Sequence, residues 1–553
     1  MSQSQPHESV VLGNIEYSIN EEEKTASLIR YQISTPEIII PRSIKHKSKE
    51  YIVTRITHEA LKYFNSRSVL FEPNSELRII EKNAFYSSNM LSIMIPSHVT
   101  QISEGAFSFC MYLYQFEFEP NSELRTIEKD AFYCSYIESI KIPASVVELK
   151  DGWCHETKKL IHVDVDAGNK RYSSIGGKCI IGKSDIEQED YDTFVFITRD
   201  SVEVNIPSTI KIIGPHAFSC SALASILIPS HITKISEDSF SICKQLTRVE
   251  FEPNSELRTI EKDAFSYSNL VSIVIPSHVT KIGKRAFYSC TQLTRVEFEP
   301  NSELRTIEEY AFSESSIESI KIPASVVELK DGWCRKTKEL IHVDVDAGNK
   351  RYSSIGGKCI IGKSDIEQED YDTFVFITRD SVEVNIPSAI KIIGPHAFSC
   401  SALASILIPS HITKISEDAF SFCQQLTRVE FEPNSELRTI EKCAFQYSNL
   451  VSIVIPSHVN QICKRTFFDC FNLSRVEFEP NSELRKIESS AFYFSKITSI
   501  LIPKNVKYIH ENAFVFCSRL QIIEIEGNSV NVPFDRNGLG ESQIIMVPAG
   551  KQF

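Results

Sequence analysis

The stretch LASILIPSHITKISEDSFSICKQL, residues 223–246, contains one complete repeat unit of this chain. Leu223, Ile226 and Ile228 follow an L-x-x-L-x-L spacing, which is typical of a strand whose apolar side chains are buried in a repeat unit. Pro229 has no backbone N–H to donate, so we expect it to end this strand at a corner. The apolar residues that we expect to be buried after this corner are Ile232, Ile235, Phe240, Cys243 and Leu246.

A phenylalanine preceded by Ala, Ser or Thr recurs fourteen times, and successive copies are separated by 22, 25 or 86 residues. Its positions are Phe85, Phe107, Phe132, Phe218, Phe240, Phe265, Phe287, Phe312, Phe398, Phe420, Phe445, Phe467, Phe492 and Phe514. Units of this length are too short to bury their own apolar face, so they must stack on their neighbours. The period therefore predicts a β-rich, right-handed solenoid in the form of an extended or curved rod.

The two steps of 86 residues interrupt the regular period. In the first we expect an irregular rung followed by a β-hairpin, in which Lys178–Lys183 pairs with Thr193–Ile197 and the acidic Ser184–Asp192 forms the tip. Leu160–Ser208 recurs unchanged as Leu340–Ser388, so the second step has the same hairpin. The predicted divisions are an N-terminal β cap (1–56), repeat blocks (57–163, 201–343 and 381–530), irregular rungs with hairpins (164–200 and 344–380) and a C-terminal cap (531–553).

The composition excludes several functional classes. The 553 residues are 42% hydrophobic and 24% charged, which is typical of a folded chain, and the net charge is −13 with acids and bases interleaved. Because the sequence has no basic stripe to neutralise phosphates, we expect neither nucleic acid nor an anionic membrane as a partner. No stretch reaches the roughly 18 apolar residues of a membrane span, and Met1–Pro6 lacks the pattern of a signal peptide. We therefore expect no membrane insertion, no membrane anchor and no conventional signal sequence.

Fifteen cysteines are present, and nine of them lie three residues before the first apolar residue of the next strand. These nine are Cys110, Cys134, Cys220, Cys243, Cys290, Cys400, Cys423, Cys470 and Cys517. We interpret them as one recurring buried position, at which a free thiol serves as a small hydrophobic side chain. A set of disulfide bonds is the alternative interpretation.

The recurring pattern I-P-x-x-[VI]-x-x-I-x-x-x-A-F-x-x-C-x-x-L resembles the BspA-like leucine-rich repeat family over roughly residues 37–550. The Asn169-x-x-Tyr172-x-x-x-Gly176-Gly177 segment is similar to the irregular segment of that family. This resemblance implies a leucine-rich-repeat solenoid. It also implies a surface antigen, since members of the family are surface antigens and adhesins of mucosal bacteria and parasitic protists.

Gly177–Ser184 matches the G-x-x-x-x-G-K-S pattern of nucleotide-binding loops, and Gly357–Ser364 repeats the match. A phosphate-binding loop needs a following helix whose N-terminus faces the phosphate. Cys179–Ile181 has strand-like residues instead, and an acidic segment follows it. We therefore interpret the motif as the end of a hairpin strand and expect no cofactor.

Possible metal ligands lie in three places. Asp164–Asn169 resembles the start of a calcium loop, but Asn169 and Ile175 stand where an EF-hand needs Gly and Glu. His155 is replaced by Arg335 in the second copy, so no histidine site is duplicated. The histidines after Pro-Ser, which we expect to be solvated corner residues, are His98, His231, His278, His411 and His458. We expect no metal site, no catalytic residues and no enzymatic activity.

The outward-facing strand residues are the candidate protein-binding site. Longer rungs place charged residues outward and shorter rungs place apolar residues outward, so that the two kinds alternate along the chain. The charged candidates are Arg248, Glu250, Arg295, Glu297, Arg428 and Glu430, and the apolar candidates are Leu227, Val274, Leu407 and Val454. A repeated, solvated surface without a ligand is the alternative interpretation.

Two functions are compatible with these features. The first is a non-enzymatic surface antigen or adhesin that contacts host or extracellular-matrix proteins and is located at the cell surface or secreted, as the resemblance implies. The second is an intracellular leucine-rich-repeat scaffold in the cytoplasm, which the free cysteines and the expected lack of a signal sequence favour.

Overall fold

The computed structural model describes residues 8–32, 35–526 and 543–547. Within these ranges the regular secondary structure consists of 46 β-strands. The chain forms two compact units, Met1–Leu270 and Val271–Phe553. The expected C-terminal cap at 531–553 lies outside the described residues, apart from the strand Gln543–Val547.

The first unit begins with the strands β1 (Glu8–Leu12), β2 (Ile15–Asn20), β3 (Thr25–Tyr31), β4 (Glu37–Ile40), β5 (Ser43–His46) and β6 (Lys49–Ile56). Its first repeats contain β7 (Ser68–Phe71), β8 (Ile79–Ile80), β9 (Ser92–Ile95), β10 (Gln101–Ile102), β11 (Gln115–Phe118), β12 (Thr126–Ile127), β13 (Ser139–Ile142), β14 (Glu148–Leu149) and β15 (His162–Val165). The remaining strands are β16 (Tyr172–Ile175), β17 (Cys179–Gly182), β18 (Thr193–Ile197), β19 (Ile212–Ile213), β20 (Ser225–Ile228), β21 (Lys234–Ile235), β22 (Arg248–Phe251) and β23 (Thr259–Ile260).

The second unit begins with β24 (Ser272–Ile275), β25 (Lys281–Ile282), β26 (Arg295–Phe298), β27 (Thr306–Ile307), β28 (Ser319–Ile322), β29 (Glu328–Leu329) and β30 (His342–Val345). Its irregular segment contains β31 (Tyr352–Ile355), β32 (Cys359–Gly362) and β33 (Thr373–Ile377). The remaining strands are β34 (Ile392–Ile393), β35 (Ser405–Ile408), β36 (Lys414–Ile415), β37 (Arg428–Phe431), β38 (Thr439–Ile440), β39 (Ser452–Ile455), β40 (Gln461–Ile462), β41 (Arg475–Phe478), β42 (Lys486–Ile487), β43 (Ser499–Ile502), β44 (Tyr508–Ile509), β45 (Ile522–Glu526) and β46 (Gln543–Val547).

Each regular coil contributes one four-residue strand and one two-residue strand, and the two kinds stack on different sides of the coil. In the first unit, β4, β7, β9 and β11 form one parallel sheet, while β8, β10, β12 and β14 stack in parallel in another. In the second unit, β35, β37, β39 and β41 form the first kind of sheet. We call the side that the four-residue strands form the strand face. Both units are therefore solenoids of the leucine-rich-repeat type, as the period predicts.

The repeat unit at 223–246 is buried as its sequence predicts. The residues that are no more than 5% exposed are Leu223, Ile226, Ile228, Ile232, Ile235, Phe240, Cys243 and Leu246. Ile226 pairs in register with Val249 of the next coil, so each apolar strand position lies directly against its equivalent. This stacking lets a coil of 22–25 residues bury its apolar side chains without a second layer.

A column of phenylalanines lies in the core of each unit. All fourteen recurring phenylalanines are buried. In the first unit the rings of Phe218 and Phe240 stack with centroids 4.8 Å apart, and in the second unit those of Phe398 and Phe420 do the same. Phe194, which lies outside the recurring pattern, extends the first column by stacking on Phe218 at 4.7 Å. Each buried ring stabilises the fold by about 1.5–3 kcal/mol.

The corner FEPNSELR, which begins at Phe71, Phe118, Phe251, Phe298, Phe431 and Phe478, is held by a carboxylate clamp. Ser230 donates its backbone N–H to Glu252 Oε2 at 2.8 Å, and Glu256 donates its backbone N–H to the Ser230 carbonyl oxygen at 2.7 Å. The same pair of bonds joins Ser277 to Glu299 and Glu303 in the second unit. The two acidic residues of the corner thus bind the preceding corner, in addition to the expected Pro-Asn-Ser turn.

The nine recurring cysteines occupy two positions, so the expectation of one buried position is wrong. Six follow the recurring Phe by three residues and are buried, namely Cys110, Cys243, Cys290, Cys423, Cys470 and Cys517. Cys134, Cys220 and Cys400 follow it by two residues and are only partly buried, because a left-handed backbone conformation turns these side chains away from the core. All fifteen cysteines are free.

The irregular segment of the first unit is organised around Asn169. Its side-chain Nδ2 donates to the carbonyl oxygens of Pro143 and Val146 at 2.8 and 2.9 Å, and its Oδ1 accepts the backbone N–H groups of Arg171 and Tyr172 at 2.8 Å. β17 then pairs antiparallel with both β16 and β18. Asn349 makes the same four bonds in the second unit. One buried amide therefore fixes the start of each three-stranded segment.

Candidate protein-binding face

In the first unit the candidate residues lie on two adjacent strands of the strand face. β20 has the burial order exposed, buried, exposed, buried, which turns Leu227 outward with 55% of its surface exposed. Leu227 pairs in register with Glu250 of β22, and Arg248 lies two residues before Glu250 on the same outward side. These three side chains therefore form one contiguous patch of apolar and charged surface.

The second unit repeats this patch. Val274 pairs in register with Glu297, and Leu407 pairs with Glu430. Val454 pairs with Glu477, which the sequence analysis did not single out. The candidate apolar residues Val274, Leu407 and Val454 are 45%, 53% and 44% exposed. All ten candidate residues are thus on the strand face, each within its own unit.

The charged candidates are already paired within their own strands. Arg248 pairs with Glu250, Arg428 pairs with Glu430, and Arg295 Nε lies 2.8 Å from Glu297 Oε1. The spacing of two residues places both partners on one side of a strand, which is the signal that the sequence analysis missed. All these side chains are strongly exposed, so each pair contributes little to stability and is available to a ligand.

Further residues of the strand face extend the candidate site. Arg475 Nε lies 2.7 Å from Glu477 Oε1, as in the equivalent pairs. In the first unit Ile39, Leu70 and Met94 follow one another on β4, β7 and β9 and are 45–55% exposed. Apolar and charged outward residues do not alternate in this part of the strand face, because β7 carries Leu70 at the position where β11 carries Glu117.

Three clefts, which we call slots, open on the strand face beside the FEPNSELR corner. The first slot, about 580 Å³, lies in the first unit between β11 and β13 and includes Glu117, Phe118, Lys141, Pro143 and Asp166. The second slot, about 740 Å³, has the equivalent lining Glu297, Phe298, Lys321, Pro323 and Asp346. The third slot, about 980 Å³, is lined by Arg475, Glu477, Phe478, Lys504, Glu524 and Glu526, among others.

The nucleotide-loop motif forms a strand and a tight tip. Cys179–Gly182 is β17, and the next described strand is β18, so no helix N-terminus follows the motif in this described segment. Lys183 Nζ donates to the carbonyl oxygen of Gln188 at 2.7 Å, and the Ser184 hydroxyl donates to Asp192 Oδ2 at 2.5 Å. The side chains of Lys183 and Ser184 thus bond within the hairpin tip.

Gly177, the first residue of that motif, is required by a close contact. Its φ is +68°, and a Cβ atom there would lie 2.5 Å from His162 Cε1. The glycine therefore lets the hairpin turn pack on the ring of His162. This explains the glycine without a ligand.

The expected absence of a metal site concerns three sets of residues. Asp164 Oδ1 accepts bonds from the Ser174 hydroxyl at 2.7 Å and the Val165 N–H at 2.9 Å, which hold its pKa below the usual range. His458 is exposed, whereas His98 is partly buried and lies 3.2 Å from Glu123. Within the described ranges, no group of three or more His, Cys, Asp or Glu residues is arranged to hold a metal ion.

The repeats of this chain match one known protein-family model. The family model of the BspA type leucine rich repeat region matches residues 43–161, 190–294, 258–369, 357–470 and 438–534. No curated protein matches the chain. In the part of the chain that the structure describes, no helix is long and apolar enough to span a bilayer.

Several solved structures are similar along nearly the whole chain. The pneumococcal vaccine antigen PcpA is 16% identical and aligns with 98% of this chain and 100% of its own, with a TM-score of 0.44. A leucine rich cell surface protein from Faecalibacterium prausnitzii A2-165 is 18% identical over 98% and 100%, with a TM-score of 0.41. A leucine-rich repeat protein from Bacteroides ovatus ATCC 8483 is 18% identical over 97% and 99%, with a TM-score of 0.33.

Proposed function

This chain belongs to the BspA-type leucine-rich repeat family, and from that premise we propose that it is a non-enzymatic surface antigen or adhesin. Its partners are host or extracellular-matrix proteins, which the strand face contacts. The observation that carries the proposal is the repetition of one exposed patch, Leu227 with Arg248 and Glu250, at equivalent positions of the second unit.

The chemistry of this patch supports a protein partner. Exposed Leu and Val side chains offer apolar contact area, and the neighbouring Arg–Glu pairs offer directional bonds at the rim of that area. Repetition adds to the affinity, since weak contacts at equivalent positions sum when one partner engages several of them. The net charge of −13 disfavours nucleic acid as the partner.

Location separates this function from that of an intracellular scaffold. Intact cells that carry the protein are labelled with a membrane-impermeant biotin reagent, with a cytosolic protein as the control that must stay unlabelled. The proposal predicts that the protein is recovered in the biotinylated fraction. Recovery only from cells lysed before labelling would contradict the proposal and support the scaffold function.

A further inference from the structure

Ladder pairing on the strand face breaks off where the first two slots open. In the second unit, β24 pairs with β26 at four positions and β28 pairs with β30 at four. Between them, β26 and β28 pair only through their first residues, Arg295 and Ser319. At the equivalent junction of the first unit, the described strands β11 and β13 belong to different sheets. The C-terminal halves of these strands are thus unpaired, and each slot opens beside them; β37 and β39 likewise pair only through Arg428 and Ser452.

One wall of each slot is apolar. In the first slot this wall contains the half-buried ring of Phe118 together with Pro143 and Ala144. The following corner carries Ser145 where the preceding short rung carries the larger His98. Such a wall matches the methylene stem of a long side chain, which remains apolar up to its charged end.

The charged residues that line each slot are mainly acidic. In the first slot Glu117, Glu119 and Asp166 face one base, Lys141, and the second slot has the equivalent set. Glu119 is occupied by the backbone N–H of Ser97 at 2.9 Å. Asp166 lies 3.6 Å from Lys141, and both side chains are exposed, so this pair is weak and easily exchanged for another cation.

The two slots differ in their lining, where Phe116 of the first slot stands in place of Val296, and in one neighbouring charged residue. In the second slot Glu297 is paired with Arg295 of the same strand, whereas in the first slot Gln115 stands at the position of Arg295. Glu117 is therefore without the neighbouring guanidinium that partly neutralises Glu297. The first slot is for this reason the stronger attractor for a cation.

We propose that the first and second slots bind Arg or Lys side chains carried by an extended segment of the protein partner. The stem of the basic side chain lies against Phe118 and Pro143, and its charged end bonds to Glu117 and Asp166. A planar guanidinium suits this arrangement best because it bonds a carboxylate through two N–H groups and also stacks on aromatic rings. This inference rests on the proposed function, for which it names the chemistry of the partner.

The test uses a fluorescein-labelled eight-residue peptide of alternating Arg and Thr, titrated with the full chain at 0.15 M salt and followed by anisotropy. The peptide with Glu in place of Arg is the ligand control. We expect the Arg peptide to bind and the Glu peptide not to bind. Glu117→Lys together with Glu297→Lys should weaken binding at least tenfold, and Glu117→Lys alone should have the larger single effect.

The matched control is Glu203→Lys with Glu383→Lys, which makes the same charge change at exposed positions outside every slot. This variant should retain at least half of the affinity. Equal loss in both double variants, or no binding of the Arg peptide by the wild type, would overturn the inference. If the double variant Glu117→Lys and Glu297→Lys still binds matrix protein like the wild type, the inference fails while the proposed function stands. Conversely, peptide binding by a protein that never reaches the cell surface would contradict the proposed function alone.

Discussion

The imidazole rings of His155 and His216 pack against each other in the first unit, with centroids 4.6 Å apart. Burial lowers the pKa of His155 to about 4 and that of His216 to about 3, and His155 lowers the latter further. In the second unit Arg335 stands in place of His155, with its guanidinium 3.9 Å from Asp418. The two copies therefore place different side chains, a histidine and an arginine, at equivalent positions.

This histidine pair makes stability depend on pH. Because the folded pKa values lie below the usual 6.5, the unfolded chain binds more protons at acid pH, and stability falls as the pH drops below about 6.5. The loss is roughly 2 kcal/mol per histidine between pH 7 and pH 5. Because burial also lowers the pKa of His396 in the second unit to about 4, removing one of these three histidines by His155→Phe should reduce the total loss by about a third, as measured by urea unfolding at both pH values. His458→Ala at an exposed corner is the control, and an unchanged pH slope in His155→Phe would contradict the assignment.

The corner clamp predicts a specific loss of stability. Glu252→Ala leaves the Ser230 N–H without its carboxylate partner, which costs about 1–2 kcal/mol of unfolding free energy. Glu250→Ala removes a neighbouring carboxylate that pairs only with exposed Arg248, so it should cost less than about 0.5 kcal/mol. Chemical denaturation of the two variants compares these values. Equal effects would mean that the clamp adds nothing beyond a surface charge.

The cysteines should be reduced in the folded protein. Burial raises the pKa of the Cys243 thiol to about 11, and its Sγ donates to the carbonyl oxygen of Phe218 at 3.0 Å, so this thiol is unreactive near neutral pH. Titration after denaturation without reductant should find close to fifteen free thiols, and in the native state far fewer should react, since most of the cysteines are buried. Fewer than about nine thiols in the denatured protein would contradict the assignment.

The hairpin tip predicts no nucleotide binding. Lys183→Ala with Lys363→Ala removes the lysines of both G-x-x-x-x-G-K-S copies, each of which is partly buried beside a tip. We expect a change in unfolding free energy below about 0.5 kcal/mol per site. A rise in melting temperature of the wild type on addition of ATP and Mg²⁺, lost in the double variant, would show that the motif binds nucleotide.

The sequence predicts much of the fold because the same buried positions recur in every coil, so that each position can be identified from many copies. Phe240 and Ile226 are recognisable since their equivalents recur at fixed steps. The clamp by Glu252 was not predicted, because an acidic residue in a turn has an ordinary solvated explanation. The pairing of Arg248 with Glu250 follows from their spacing once the strand is known. The slot beside Glu117 was not predictable, since it depends on where β11 and β13 are unpaired.

The binding role of the strand face is tested most directly by charge reversal at its arginines. Arg248→Glu, Arg295→Glu and Arg428→Glu are combined in one variant, and binding to an immobilised basement-membrane extract is measured against the wild type. The matched control combines Lys234→Glu, Lys281→Glu and Lys414→Glu, which make the same charge change on the two-residue strands. All six side chains are solvent-exposed or partly so, and both variants should keep nearly the wild-type melting temperature.

The account predicts that the arginine variant loses binding at least tenfold, far more than any single substitution, because contacts at equivalent positions sum along the array. The lysine variant should bind like the wild type. Wild-type binding by the folded arginine variant, or an equal loss in both variants, would contradict recognition through the strand face.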